Sequence, residues 1–227
     1  MMKNPAEGYL GKRRMNASQE AEDSRNMDEI RINDKISYIE CGERPLSSDI
    51  GIIKEGKDTW LYDVGNGADR IAGLSGQYHI VLSHFHPDHV GNLNRIGKKE
   101  VYVSAATQKY VRQGTIVTQD LYIGGLHLFL LPSSHAKGCL GLEVDETYAF
   151  VGDALYCKAK LGYGVYNAQL LKEQIEVLKR LKAPWLLLSH RKNMVQKKDL
   201  LIEWLENIYD GREKGNPEIR IELRSLW

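Results

Sequence analysis

From Ile30 onward the apolar positions of this chain fall in short runs separated by turn residues. Ile30-Arg31-Ile32, Ile36–Ile39 and Ile50-Gly51-Ile52-Ile53 read as strands, and Asn33-Asp34 and residues 45–49 as the turns between them. Residues 59–63 form a further strand, ending in Asp63-Val64-Gly65-Asn66-Gly67, where glycine permits a sharp reversal. A helix to about Ser75 is expected next. Residues 78–83 are an apolar run that predicts a buried strand, and residues 90–96 a short helix. A strand over residues 100–103 and a helix over 105–112 follow. Residues 116–117, 121–123, 126–131, 140–144 and 148–151 continue the β pattern. Over residues 167–182, Leu170, Leu171, Ile175, Val177, Leu178 and Leu181 fall near one face of an amphipathic helix, which Ala183-Pro184 stops. Residues 185–188 are a buried strand, 199–209 a last helix, and 219–221 an edge strand in a mostly exposed tail.

Two blocks of strands, each followed by α/β alternation, predict an α/β fold of two packed sheets with helices outside, a four-layer αββα sandwich. One domain over residues 27–227 is expected, because layered folds of this length stay single. Residues 1–26 are polar and charged with little to bury, and read as a disordered extension, a partner-binding tail, or sequence ahead of a true start at Met27.

Composition narrows the function. Charged residues make up 27% of the chain and the formal net charge is +1, which gives no electrostatic footprint for nucleic acid or a membrane surface. No apolar run approaches the roughly 18 residues of a membrane span, and the N-terminal stretch has no apolar core of a secretory signal. Cys41, Cys139 and Cys157 are odd in number and widely spaced, which suits reduced thiols in the cytoplasm rather than a disulfide framework.

The chemistry concentrates in His84-Phe85-His86-Pro87-Asp88-His89, placed where a strand hands over to a helix. Imidazole and carboxylate suit zinc and neighbouring first-row metals. Residues two apart on an extended segment point the same way, so His84 and His86 can share one metal. Asp88 and His89, where the chain turns, can face a second. Three further ligand types stand just past apolar runs: His135, Asp153 and His190.

With these residues in this order and approximate spacing, the chain resembles the metallo-β-lactamase fold superfamily over about residues 30–210. Asp63-Val64-Gly65 is similar to that family's early Asp-x-Gly turn, and Gly138 stands where a glycine often follows the third histidine. The resemblance implies the αββα fold and two divalent metal ions, zinc foremost, with manganese or iron as alternatives. It implies that His84, His86 and His135 hold the first metal, that Asp88, His89 and His190 hold the second, and that Asp153 bridges them. Asp63 would orient the ligands, or serve the turn alone. Metal-held water, its pKa lowered to near 7, would be the nucleophile, with Asp88 exchanging the proton.

The substrate reading rests on departures within the family. Asp153 stands where the most familiar β-lactamases carry Cys, and those enzymes lack a His at the position of His89, which argues against antibiotic hydrolysis as the main activity. The ligand set resembles glyoxalase II and lactonase-type members, although the short chain after His190 lacks the helical C-terminal region of glyoxalase II. Tyr156 resembles a lactonase tyrosine that donates to the substrate carbonyl; packing on the core rim is its other reading. Arg191 and Lys192 could meet an anionic group of a small-molecule substrate, or stand in a solvated loop. The expectation is a hydrolase of ester, thioester or lactone substrates. The alternatives are a phosphodiesterase, a persulfide dioxygenase-like enzyme with one iron, and a binding module that kept the fold.

Overall fold

The computed structural model describes residues 29–222, so the expected disordered extension over residues 1–26 lies outside the described residues. The chain begins with a sheet built from β1 (Glu29–Arg31), β2 (Ile36–Ile39), β5 (Ile50–Glu55), β6 (Asp58–Tyr62), β7 (Tyr78–Val81), β8 (Lys98–Val103) and β9 (Thr115–Ile116), in that spatial order. Between β2 and β5 lies a small ribbon, β3 (Gly42–Glu43) with β4 (Leu46–Ser47). The first strands pair antiparallel, whereas β6, β7, β8 and β9 run parallel. The parallel strands therefore deliver their carboxyl ends to one edge, where ligand sites gather in such sheets.

The second sheet orders β10 (Leu121–Ile123), β11 (Leu126–Leu131), β12 (Cys139–Val144), β13 (Tyr148–Gly152), β16 (Trp185–Leu188) and β17 (Val195–Lys197). Its one parallel pair is β13 with β16. Side chains from both sheets interdigitate between them: Ile53, Tyr62 and Val81 from the first meet Leu128, Leu140 and Phe150 from the second. Gly51 allows this approach, since a Cβ there would stand 2.5 Å from the Phe150 ring. The Tyr62 hydroxyl donates to the Leu140 carbonyl at 2.7 Å, so its buried polar tip is satisfied across the sandwich.

Helices cover both outer faces. On the first sheet lie α1 (Pro87–Val90) and α2 (Ala105–Val111), over a cluster that includes Leu61, Ile80, Leu82 and Val103. On the second lie α3 (Ala168–Arg180) and α4 (Lys198–Asp210). Leu171, Ile175 and Leu178 of α3 and Leu201, Ile202 and Leu205 of α4 bury one stripe each, as their spacing predicts. Each such side chain contributes about 1.5–3 kcal/mol of transfer free energy. Asn167 caps α3 by accepting from the Leu170 amide at 2.9 Å. The expected four layers are thus the observed ones.

Three local expectations change. The helix expected over 90–96 begins earlier, at Pro87, and residues beyond Val90 are turns. Asn92 explains the stop: its buried side-chain amide donates to the carbonyls of Val64 at 3.1 Å and Gly67 at 2.8 Å, tying it to another loop. The helix expected to Ser75 is only a 3-10 turn over Asp69–Ile71. A third sheet, β14 (Lys158–Lys160), β15 (Tyr163–Asn167) and β18 (Glu218–Glu222), includes a hairpin that the sequence pattern did not predict. The edge strand expected at 219–221 is real, but it pairs with β15 and buries Ile219.

Candidate metal centre

All seven predicted ligands meet at the edge where the carboxyl ends of β7, β11, β13 and β16 come together. They form two groups, His84 with His86 and His135, and Asp88 with His89, Asp153 and His190; within each, one ligand atom per residue lies within 4.8 Å of the others.

In the first group, His84 Nε2 is 2.9 Å from His86 Nδ1, and His135 Nε2 is 3.1 Å from the same atom. Four ligands at the tetrahedral zinc distance would stand about 3.4 Å apart, so this spacing is close to that of a shared cation. Ser83 selects the tautomer of His84. Its hydroxyl donates to Asp63 Oδ2 at 2.7 Å and so can only accept from His84 Nδ1 at 2.9 Å, which leaves the Nε2 lone pair facing the group. Burial, reinforced by the neighbouring imidazoles, pushes His84 far below its ordinary pKa, and burial also lowers His86 and His135. The trio is therefore neutral, the form that binds metal.

The second group mixes charges. Asp153 Oδ2 lies 3.3 Å from His89 Nε2, 3.6 Å from His190 Nε2 and 3.5 Å from His135 Nε2, so one oxygen touches both groups. Asp88 Oδ2 is 3.0 Å from His190 Nε2 and 3.4 Å from His89 Nε2. Burial raises the Asp153 carboxyl, but the imidazolium character of His89 outweighs it and holds the group below its usual range. Burial alone would lower His89; Asp63 and Asp153 reverse that and raise it well above an ordinary histidine. His190 is likewise lowered by burial but lifted to about 10, chiefly by its hydrogen bond to Asp88. The carboxylates around these two rings thus favour positive charge at the position that a cation would take.

The donor set fits a metal on independent ground. Asp153 Oδ1 is fully buried with no hydrogen-bond partner among the described residues, and the buried His89 Nε2 meets only carboxylate oxygens at 3.3 and 3.4 Å without hydrogen-bond geometry. Such orphaned groups cost about 1–3 kcal/mol each and call for an explanation, and a coordinated cation supplies one.

Residues around the groups hold them in place. Asp63 is buried in a left-handed conformation at the end of β6, and it accepts from the Ser83 amide at 2.7 Å and faces His89 Nδ1 at 2.7 Å. Gly152 lets the end of β13 approach Ser83, since a Cβ would fall 2.9 Å from that of Ser83. Sequence reasoning missed Asp49. This buried carboxylate accepts from the Cys41 amide at 3.0 Å, the Ser189 hydroxyl at 3.0 Å and the His190 amide at 2.9 Å, and so fixes the left-handed backbone of His190. The only sequence signal for Asp49 was its place at a strand start, which many solvated aspartates share.

Tyr156 is near the centre, its ring 6.2 Å from that of His135, but its hydroxyl donates to the Ser189 carbonyl at 2.6 Å. In this geometry it braces the His190 loop. Burial raises its pKa above the ordinary range, so the proton is firmly held. Tyr156, His190, Arg191 and Lys192 together border an open cavity of about 540 Å³. Among the described residues, no helix is long and apolar enough to cross a membrane.

Residues 44–116 match the family model of the metallo-beta-lactamase superfamily, a segment that holds the His84–His89 cluster and stops before His135, Asp153 and His190. No curated protein sequence matches the chain. Solved structures do. A B3 metallo-beta-lactamase with an active-site glutamic acid aligns with TM-score 0.62 at 13% identity, covering 88% of this chain and 95% of that one. The chemotaxis sensor ODP, solved with a peroxy diiron species, aligns at 0.58 and 16% identity, covering 78% and 93%. An archaeal metallo-beta-lactamase superfamily protein from Sulfolobus tokodaii aligns at 0.51 and 20% identity, covering 74% and 83%. The fold is that of the metallo-β-lactamases, and residues 44–116 are similar to that superfamily's model.

Proposed function

We infer that the chain is a metal-dependent hydrolase of esters, thioesters or lactones. Its ligands are those of a glyoxalase II or lactonase-type site, His84, His86 and His135 for one cation, Asp88, His89 and His190 for the other, with Asp153 between. The observation that carries this reading is the Asp153 carboxylate oxygen within 3.6 Å of imidazoles from both groups. Zinc suits the nitrogen-rich trio best, and manganese or iron suits the same atoms. When bound, a pair of such cations supplies a water of low pKa as nucleophile and Lewis acidity toward the substrate carbonyl.

The chain's own residues do the rest. Ser83 and Asp63 fix the ring orientation of His84 and His89. Asp88, partly solvated and hydrogen-bonded to His190, can take a proton from the attacking water and return it to the leaving group. Asp49 and Tyr156 hold the loop that presents His190. Arg191 and Lys192 border the cavity beside His190 and offer positive charge to a polar or anionic part of a small-molecule substrate. The three unpaired cysteines suit a cytoplasmic setting.

Elemental analysis of the purified protein, run with thioester, lactone, phosphodiester and β-lactam substrates, tests the reading. About two metals per chain with hydrolysis of a carboxylic ester class supports it. One iron per chain with oxygen consumption on a persulfide would overturn it.

A further inference from the structure

The ligands of the centre are not all steadied in the same way. His84 is oriented by the Ser83 hydroxyl and His89 by the Asp63 carboxylate, each at its Nδ1. His86 has no such partner. Among the described residues its ring hydrogen-bonds only to fellow ligands, His84 and His135, and both bonds use the Nδ1 that faces the group. A metal-binding histidine normally gives its second ring nitrogen to a carboxylate, a carbonyl or water, which fixes the ring. Around His86, aromatic packing takes that place.

Phe85 stands between the ligands His84 and His86. Neighbours in an extended segment point to opposite sides, so its ring leaves the ligand group and packs against the core cluster that holds Leu171, Ile175 and Leu205. It also meets the His86 ring edge-on, with centroids 5.1 Å apart and planes at 84°. One face of Phe85 is covered by Tyr110, at 4.1 Å and within 7° of parallel. Tyr110 belongs to the last turn of α2, a helix with its own start, where Ser104 accepts from the Thr107 amide at 3.1 Å and Thr107 is fully buried. Tyr110 is 65% exposed, so it adds little burial to the fold, yet its ring lies flat on the side chain that separates two ligands. Downstream of His86 the backbone is already fixed: its carbonyl accepts from the amides of His89 at 3.0 Å and Val90 at 3.2 Å, which starts α1. The stack is the matching hold on the upstream side.

We propose that Tyr110 is a positioning residue for the first cation: stacked on Phe85, it keeps the His84–His86 segment in the conformation that aims the His86 Nδ1 at the group. The inference rests on the reading of the trio as a metal site, and it asks for the ring of Tyr110 and not for its hydroxyl. The measurement is zinc affinity of the full chain, read by competition with a chromophoric chelator, which gives a constant for each bound ion. Tyr110→Ala should weaken one constant about three- to tenfold, the scale of one aromatic stack, and leave the other within about twofold. Tyr110→Phe should bind zinc as the unaltered protein does. Phe85→Leu, which keeps apolar bulk against the core, should show the same selective loss. The double variant Phe85→Leu with Tyr110→Ala should lose little more than either single change, since both break one contact. In a His190→Ala background, which keeps the trio, Tyr110→Ala should weaken the remaining zinc by the same factor.

Zinc constants that both stay within about twofold in Tyr110→Ala would overturn the proposal. So would an equal loss at both sites, which marks a general loosening of the fold. A loss in Tyr110→Phe as large as that in Tyr110→Ala would overturn it too, by giving the role to the hydroxyl. Failure of the unaltered protein to bind zinc or another divalent ion would remove the metal reading itself and the proposal with it, so the unaltered chain alone tells the two failures apart.

Discussion

The two ligand groups lie side by side yet are built in opposite ways. The His84, His86 and His135 trio is all imidazole, lacks charge, and leaves His86 and His135 partly open to solvent. The Asp88, His89, Asp153 and His190 group is charged, and its members are tied into buried carboxylate networks through Asp63 and Asp49. In the first, His86 and His135 are lone pairs on loops and His84 alone is buried and anchored, through Ser83; the second is part of the scaffold. The same ligand chemistry can therefore be removed from one with little damage to the fold, and from the other only with it.

The largest effect should come from Asp153→Ala, because one oxygen serves both groups. Metal content should fall from about two per chain to one or fewer. Turnover should fall beyond the roughly 10–100-fold that loss of an outer partner costs. Full activity with one metal in that variant would refute the two-metal reading.

The comparison sharpens with His89→Ala set against His86→Ala. Both remove a ligand. His89→Ala also strands the buried carboxylates of Asp63 and Asp153, and breaking such a buried pair costs about 3–5 kcal/mol. Denaturant unfolding should show that loss for His89→Ala and no more than about 1 kcal/mol for His86→Ala. Equal losses would dissolve the distinction drawn between the groups.

A subtler change is Asp63→Asn, which keeps the shape but puts an amide donor against Ser83 or His89. Metal affinity should drop roughly 10–100-fold, read by competition with a chelator. The smallest effect belongs to Tyr156→Phe. It removes one hydrogen bond to the Ser189 carbonyl, worth about 1 kcal/mol. Activity should fall only severalfold, with metal content intact. A loss of several hundredfold would instead mean that the hydroxyl leaves Ser189 during turnover and serves the substrate.

What was legible in the chain follows the same divide. That the HxHxDH cluster and the three strand-end residues would come together could be read because each carries its chemistry in the residue type and its position in the apolar pattern. The strands and the two long helices could be read because burial on one face imposes a period. Asp49 could not, since nothing local separates a carboxylate that will be buried by distant chain from one left in water. Nor could the hairpin at Lys158–Lys160 and Tyr163–Asn167, whose exposed lysines and tyrosine give no alternating apolar signal. The helix expected over 90–96 failed because Asn92 answers to carbonyls on another loop rather than to its own neighbours.

The hydrogen bond from the His190 amide to Asp49 joins residues 141 positions apart. During synthesis the imidazole trio is complete once His135 has emerged, while the charged group waits for the last strands and cannot be shaped before Asp49 and His190 meet. Contacts so distant in sequence form slowly, after the loops between them have closed. A chain ended before His190 would therefore keep every residue of the trio and lose the closing member of the charged group, along with the partner that Asp49 holds.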